Sequence, residues 1–149
     1  MSFEESLTIP AFPIIIEDPI SYPYIVETNS AEEFAKYNTS PDRIEEVNIE
    51  KTALNISNST LANFDFLKSI SFYLSAEGLD EVLIASKLDI MDGVGQNLEL
   101  DVEGQDLSAY LIKEIIEIRV EIATDQVVPE EFDMLILTEF FVDAKILGV

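Results

Sequence analysis

Strict alternation of apolar and charged residues is the feature that most limits what this chain can fold into. From 116 to 122, Ile or Val occupies every even position and Glu or Arg every odd one. From 98 to 102, Leu, Leu and Val alternate with Glu and Asp. Because successive side chains of a strand point to opposite faces, this period of two indicates half-buried antiparallel strands with one apolar face and one charged face.

Similar runs along the chain predict seven or eight strands in all. Strands are expected over 44–57, 70–76, 82–85, 97–103, 115–124 and 131–147, with one or two more in the extended residues 3–28. Short helical turns are predicted at 30–37, where Ser30 and Glu33 have the spacing of a capping box, and at 64–67 and 106–111. Because no full-length helices alternate with the strands, the pattern predicts a single-domain, all-β antiparallel sandwich.

Two stretches depart from simple alternation. Residues 1–28 contain four prolines, which suit edge strands, and form an extended arm before a sandwich core of 29–149. We expect the arm to pair with an edge of the sheet that holds the strand at 131–147, and to cover Leu135, Leu137 and Phe141 in its own chain or a neighbour. In 44–57 the apolar phase slips from odd to even positions, which predicts a β-bulge near 51–53.

The same alternation predicts which side chains form the core. Period two assigns twelve residues to the inward faces of the strands. They are Ile70, Phe72, Leu74, Leu98, Leu100, Ile116, Ile118, Val120, Met134, Ile136, Phe140 and Val142.

Composition limits the classes of partner. Thirty Asp and Glu residues against eight Lys and Arg give a net charge of −22. This charge argues against nucleic acid and anionic membrane surfaces, both of which attract concentrated Lys and Arg. No apolar run approaches the ~20 residues that a membrane-spanning helix needs. The start is acidic where a signal peptide is basic, so we expect no signal peptide within this sequence.

The chain contains no His and no Cys, which limits its chemistry. Triads of the Ser-His-Asp or Cys-His kind, disulfides, and ordinary zinc or copper sites are excluded. An enzyme built from these residues would depend on paired carboxylates, Lys or Tyr. We therefore expect no enzymatic activity, no catalytic residues and no cofactor.

The middle and end of the chain resemble uncharacterised secreted, often lipid-anchored β-sandwich proteins of Bacteroidota-type bacteria. The resemblance covers about residues 25–147 and lies in core spacing and turns rather than in a catalytic motif. It is carried by FDFLKSI at 64–70, SAEGLDEV at 75–82, DGVG at 92–95, LEL at 98–100, and the stretches 106–111 and 140–147. The resemblance implies a cell-envelope or extracellular setting and supplies no activity. The sequence lacks the lipobox Cys of that group.

Two groups of residues are candidates for binding. Five acidic residues around the loop with Gly93 and Gly95 offer hard oxygen ligands for calcium, although they lack EF-hand spacing; they are Asp89, Asp92, Asp101, Glu103 and Asp106. Tyr22, Tyr24 and Tyr37 are candidates for a sugar- or protein-binding face, or simply bury their rings and keep their hydroxyls wet.

Taken together, the sequence favours a non-enzymatic module of the cell envelope or extracellular space. Its role would be structural or adhesive, or that of a subunit in a surface assembly, with a protein partner or self-association. A calcium- or carbohydrate-binding module is the alternative, and a carboxylate-dependent hydrolase comes third.

Overall fold

The chain folds into two antiparallel sheets packed face to face. A computed structural model describes residues 1–59 and 62–144. Its strands are β1 (Ser2–Ile9), β2 (Ile20–Glu27), β3 (Ile44–Ile56), β4 (Leu67–Ala76), β5 (Leu79–Lys87), β6 (Asn97–Glu99), β7 (Asp101–Val102), β8 (Ile115–Thr124) and β9 (Phe132–Ala144). One sheet has the order β1-β9-β3-β6 and the other β2-β8-β4-β5-β7. The predicted antiparallel β-sandwich is therefore confirmed.

The described residues form nine strands rather than seven or eight, because one predicted strand divides between the two sheets. In place of a single strand at 97–103, β6 pairs with β3 and β7 pairs with β5. Leu100 lies at the crossing point, where its side chain is buried in the core. Alternation therefore identified the inward face of this segment correctly but could not show that the segment changes sheets.

The core lies between the sheets as one continuous apolar cluster. Eleven of the twelve predicted core residues are buried, and Val142, near the end of β9, is half-buried against the cluster. The predicted bulge is also confirmed, one residue earlier than expected. Ile49 lies opposite Phe140 and Lys51 opposite Glu139, so Glu50 is the extra residue that shifts the inward phase of β3.

The N-terminal residues contribute an edge strand to each sheet. β1 pairs with β9 along its whole length, which confirms the predicted backbone pairing with the last strand, and β2 pairs with β8. The expectation that the arm covers the outer face of β9 within its own chain is wrong, because β1 extends the sheet in its own plane; covering of a neighbour stays a prediction. Leu135 and Leu137 remain half-buried, and Phe141 is 53% exposed. Residues 145–147 of the predicted last strand lie outside the described residues.

The short helical turns form where they were predicted, although one is held differently. Helix α1 (Ser30–Ala35) has no side-chain cap, so the predicted capping box is wrong. Ser30 is buried, and its hydroxyl donates to the Ile112 carbonyl (3.0 Å) and the Glu114 carboxylate (3.2 Å). The tertiary hydrogen bonds to the segment before β8 replace the local cap. Helix α2 (Ser108–Leu111) follows Asp106, whose carboxylate accepts from the Ser108 amide at 2.9 Å.

One edge of each sheet carries a feature that discourages pairing with another chain. On β1, the inward-facing position between Phe3 and Leu7 is Glu5, a charge that an added strand would trap. On β2, Pro23 removes one backbone donor. The opposite edges, β6 and β7, are only three and two residues long. Inter-chain pairing of strands is therefore disfavoured at β1 and β2. Among the described residues, β6 pairs only with 53–55 of β3 and β7 only with 85–86 of β5, so these short strands cover a small part of their neighbours.

Candidate functional site

The five acidic residues proposed for calcium do not converge. The Asp92 carboxylate accepts from the side chain of Gln126, and Asp101 lies 3.6 Å from the Lys87 ammonium. Asp106 accepts from the Ser108 amide at 2.9 Å and from the Val47 amide at 3.0 Å. Within residues 1–59 and 62–144, no group of three or more acidic side chains is placed to hold a metal ion. The calcium hypothesis thus gains no support from the described geometry.

The three candidate tyrosines do not form a common face. Tyr22 and Tyr24 lie on the inward face of β2, half-buried against the core. Burial, and secondarily the charge of Glu5, raises the pKa of the Tyr24 hydroxyl well above its ordinary value. Tyr37 follows α1 at one end of the sandwich and is 70% exposed. Tyr22 and Tyr24 therefore lie at the edge of the core, and of the three tyrosines only Tyr37 is available to a ligand.

A single cation organises the outer face of the five-stranded sheet. The Arg119 guanidinium donates twice to Glu81, at 2.7 and 3.0 Å, and once to the Ser21 hydroxyl at 2.8 Å. It also donates to Glu121 and lies 4.4 Å from the centre of the Tyr73 ring. Hydrogen bonding from Arg119 lowers the pKa of the Glu81 carboxyl. These contacts join side chains from four neighbouring strands, a role that fits stability rather than catalysis.

The strongest functional feature is the cluster of connections at one end of the sandwich, which we call the loop end. Register places the described parts of the β1–β2, β3–β4, β5–β6 and β8–β9 connections there, at residues 10–19, 57–59 with 62–66, 88–96 and 125–131. Among the described residues, six of the eleven exposed large hydrophobic side chains lie on these connections. They are Ile14, Ile15, Leu88, Met91, Val94 and Val127. Exposure reaches 65% at Ile14 and 80% at Met91.

Hydrogen bonds hold three of these connections side by side. The β1–β2 connection pairs with the β8–β9 connection through reciprocal backbone hydrogen bonds between Phe12 and Val128, at 2.8 and 2.9 Å. The β8–β9 connection reaches the β5–β6 connection through Gln126, whose amide donates to Asp92 at 3.3 Å. The loops that carry Ile14, Val127 and Met91 are therefore neighbours, and the exposed side chains are presented from a hydrogen-bonded frame.

The β5–β6 connection is also fastened to the β3–β4 connection. The Gly93 amide donates to the Asp65 carboxylate at 2.8 Å, and the Phe64 amide donates to the Gly95 carbonyl at 2.9 Å. Gly93 has φ of 99°, a conformation that favours glycine. Met91 and Val94 are thus exposed to solvent on a loop whose backbone is hydrogen-bonded to the β3–β4 connection.

A recess lies beside Val127 on the same end. Its volume is about 400 Å³, and its lining includes the buried rings of Phe66 and Phe132, which meet edge to face with centroids 5.5 Å apart. Val128 and Pro129 complete the apolar side, while Glu130 contributes a carboxylate. Such a recess can accept an apolar side chain next to the exposed hydrophobic residues.

The charge of the loop end is predominantly negative. The four connections contain eight acidic residues and no Lys or Arg; the acids are Glu17, Asp18, Asp65, Asp89, Asp92, Asp125, Glu130 and Glu131. All but Asp65 are exposed. Lys68 and Lys87 flank these connections on β4 and β5, so the loop end combines exposed apolar side chains with a predominantly negative charge.

Sequence reasoning missed this surface, although a signal for it was present. The apolar residues of the four connections lie outside the period-two runs, next to Pro, Gly and Asp, where burial cannot be inferred from spacing. The absence of any Lys or Arg from all four connections was the readable signal. Only the register of the strands shows that these segments share one end.

Comparison with known proteins gives little further information. No family model and no curated protein matches the chain. The C-terminal domain of a chitobiase from Bacteroides fragilis is similar over 88% of this chain and 68% of its own, with 14% identity and a TM-score of 0.36. A Clostridium perfringens protein in complex with GalNAc-β-1,3-galactose is similar over 90% of this chain and 94% of its own, with 9% identity and a TM-score of 0.38. The fold assignment rests on this chain's own strand ladders, and lipid anchoring stays a prediction.

Proposed function

We propose that this protein is a non-enzymatic module of the cell envelope or extracellular space that docks a partner through its loop end, as a subunit of a surface assembly. The observation that carries the proposal is the concentration of exposed Ile, Leu, Met and Val side chains on hydrogen-bonded neighbouring loops. Exposed apolar side chains that cluster on a protein surface mark interaction sites, whereas singly scattered ones do not. A frame that is already ordered also reduces the entropy lost on binding.

Two further observations support docking at the loops rather than at the strands. The edge strands β1 and β2 carry Glu5 and Pro23, so addition of a strand from another chain is disfavoured at these two edges. The absence of His and Cys supports a non-enzymatic role, since the usual neutral-pH bases and nucleophiles are missing. For the described residues, no helix is long and apolar enough to cross a membrane.

Photo-crosslinking from defined positions tests this proposal. A crosslinking residue at Val127 should give one discrete adduct in extracts of the cells that produce the protein, and the same residue at Ile115 should not. Ile115 is a matched control because it is 57% exposed, against 50% for Val127, and lies at the opposite end. Excess wild-type protein should compete the adduct away, whereas a protein with Ile14, Met91 and Val127 changed to Thr should not. Equal adducts from both positions would refute docking at the loop end.

Carbohydrate binding is a second candidate, favoured by a different recess. At the opposite end, a recess of about 400 Å³ is lined by Phe34, Tyr37, Phe140 and Phe141, together with carboxylates that include Glu50. Exposed aromatic rings stack on sugars, and carboxylates accept hydrogen bonds from sugar hydroxyls. Titration with a panel of neutral oligosaccharides tests it. Binding that Tyr37→Ala abolishes would support this function, and no binding at millimolar sugar would remove it.

A further inference from the structure

We propose that the partner at the loop end is a basic protein surface, one that inserts an apolar side chain into the recess beside Val127 and surrounds it with Lys and Arg. This inference rests on the proposed function, because it names the class of partner for the same docking surface. Its observations are the recess, the apolar residues around it and the charge of the four connections.

The recess indicates which side chain of the partner would be buried at the loop end, and we call that side chain the anchor. Its lining includes the Phe66 and Phe132 rings, and exposed Val127 stands at its side. A volume of about 400 Å³ is large enough to admit an apolar side chain as big as Trp, so Leu or Phe would also enter. Buried anchors of this kind provide most of the binding energy in protein interfaces, while the surrounding residues exclude water. Ile14 and Met91, on adjoining loops, would extend the apolar contact beyond the anchor.

The charge determines what surrounds the anchor. Eight carboxylates occupy the four connections, and two lysines, Lys68 and Lys87, flank them on β4 and β5, so an approaching surface meets an excess of negative charge. Complementary Lys and Arg accelerate association and exclude neutral or acidic competitors. Glu130 lies at the recess itself, within reach of a cation that flanks the anchor. A basic rim around an apolar anchor therefore fits this surface.

The same charge argues against the other occupants. A second copy would bring another chain of net charge −22 against the first, with the loop-end carboxylates facing one another. An anionic membrane would be repelled, and a zwitterionic membrane would offer no net positive charge to the seven exposed carboxylates. A basic protein is the occupant that satisfies both the apolar centre and the acidic surround.

Two synthetic amphipathic peptides test the inference. They share one leucine face and differ only in having lysine or glutamate on the other face. The lysine peptide should bind the wild-type protein. The change of Ile14, Met91 and Val127 to Thr should weaken that binding by about tenfold or more, equivalent to about 1.4 kcal/mol. The matched control changes Ile25, Ile115 and Phe141 to Thr, which removes comparable exposed apolar residues elsewhere at unchanged net charge. It should alter the affinity by less than about twofold.

A second pair of variants separates local charge from total charge. Asp125→Asn with Glu130→Gln and Glu131→Gln neutralises three loop-end acids. Glu45→Gln with Glu77→Gln and Glu103→Gln neutralises three exposed acids elsewhere. The first set should weaken the lysine peptide several-fold more than the second. Equal weakening would show that only net charge acts, and would overturn the inference.

The remaining outcomes distinguish the inference from the function on which it rests. If the glutamate peptide binds as tightly as the lysine peptide, and both respond to the loop-end apolar variant, the loop end docks partners but the basic class is wrong. If neither peptide responds to that variant more than to its control, both the inference and docking at the loop end fail. If phosphatidylcholine vesicles bind the wild-type protein in place of the lysine peptide, and only the loop-end apolar variant fails to bind the vesicles, the occupant is lipid and the basic-protein inference is overturned.

Discussion

Replacement of Ile118 by Ala gives a sharp test of the packing between the sheets. Ile118 is 1% exposed and lies at the centre of β8, opposite Tyr24 on β2 and Leu74 on β4. Truncation to Cβ removes roughly 2–3 kcal/mol of transfer free energy. The paired strands on both sides hinder collapse into the space, so a cavity term adds to this loss. We expect the free energy of unfolding to fall by about 3–4 kcal/mol, within the range for buried Ile or Leu to Ala.

Urea unfolding followed by far-UV circular dichroism measures this change. With an m-value of about 2 kcal/mol/M, the midpoint should fall by about 1.5–2 M. Ile115→Ala is the matched control, because Ile115 lies on the same strand and is 57% exposed. It should change the free energy of unfolding by less than about 0.5 kcal/mol. If the two variants differ by less than about 1 kcal/mol, the inward and outward assignment of β8 is wrong.

Two further predictions concern charge. Because the net charge is −22, screening of carboxylate repulsion by ~0.5 M NaCl should raise the melting temperature. CaCl₂ at equal ionic strength should add no further increase. A large additional increase in CaCl₂ would establish a calcium site. Arg119→Met should lower the free energy of unfolding by up to about 1 kcal/mol at pH 7, since Glu81 is partly exposed. Arg119 lowers the folded-state pKa of Glu81 below its ordinary value of 4.5, so its stabilisation is present above that value and lost as pH falls through the folded pKa. The difference between variant and wild type in urea midpoint should therefore shrink below about pH 4, and a constant difference down to pH 3 would contradict this account.

Much of the sandwich could be predicted because period-two alternation has a direct geometric cause. Positions such as Phe72, Ile118 and Met134 alternate with polar neighbours, and a pleated strand must send them to the same face. The bulge at Glu50 was readable for the same reason, since an extra residue reverses the phase of every side chain after it. The turn at residues 77–78, which joins β4 to β5, also has a local cause, because Gly78 has φ of 79°.

Features that depend on distant partners were not readable in this way. Ser30 and Glu33 have capping-box spacing, but hydrogen bonds from Ser30 to Ile112 and Glu114, about eighty positions away, replace the local cap. The change of sheet at Leu100 is also tertiary, because alternation specifies a face and carries no information about the neighbouring strand.

The candidate site shows the same division most clearly. The sequence by itself determined that the four connections are acidic and without Lys or Arg, because composition needs no fold. It could not determine that Ile90 is 6% exposed while its neighbour Met91 is 80% exposed, since the two residues are equally apolar and lie in one irregular segment. Strand register brings the four connections to one end, and the bonds from Asp65 to Gly93 and from Gln126 to Asp92 set their arrangement. Exposure in a loop depends on which groups hold its backbone, and those groups come from elsewhere in the chain.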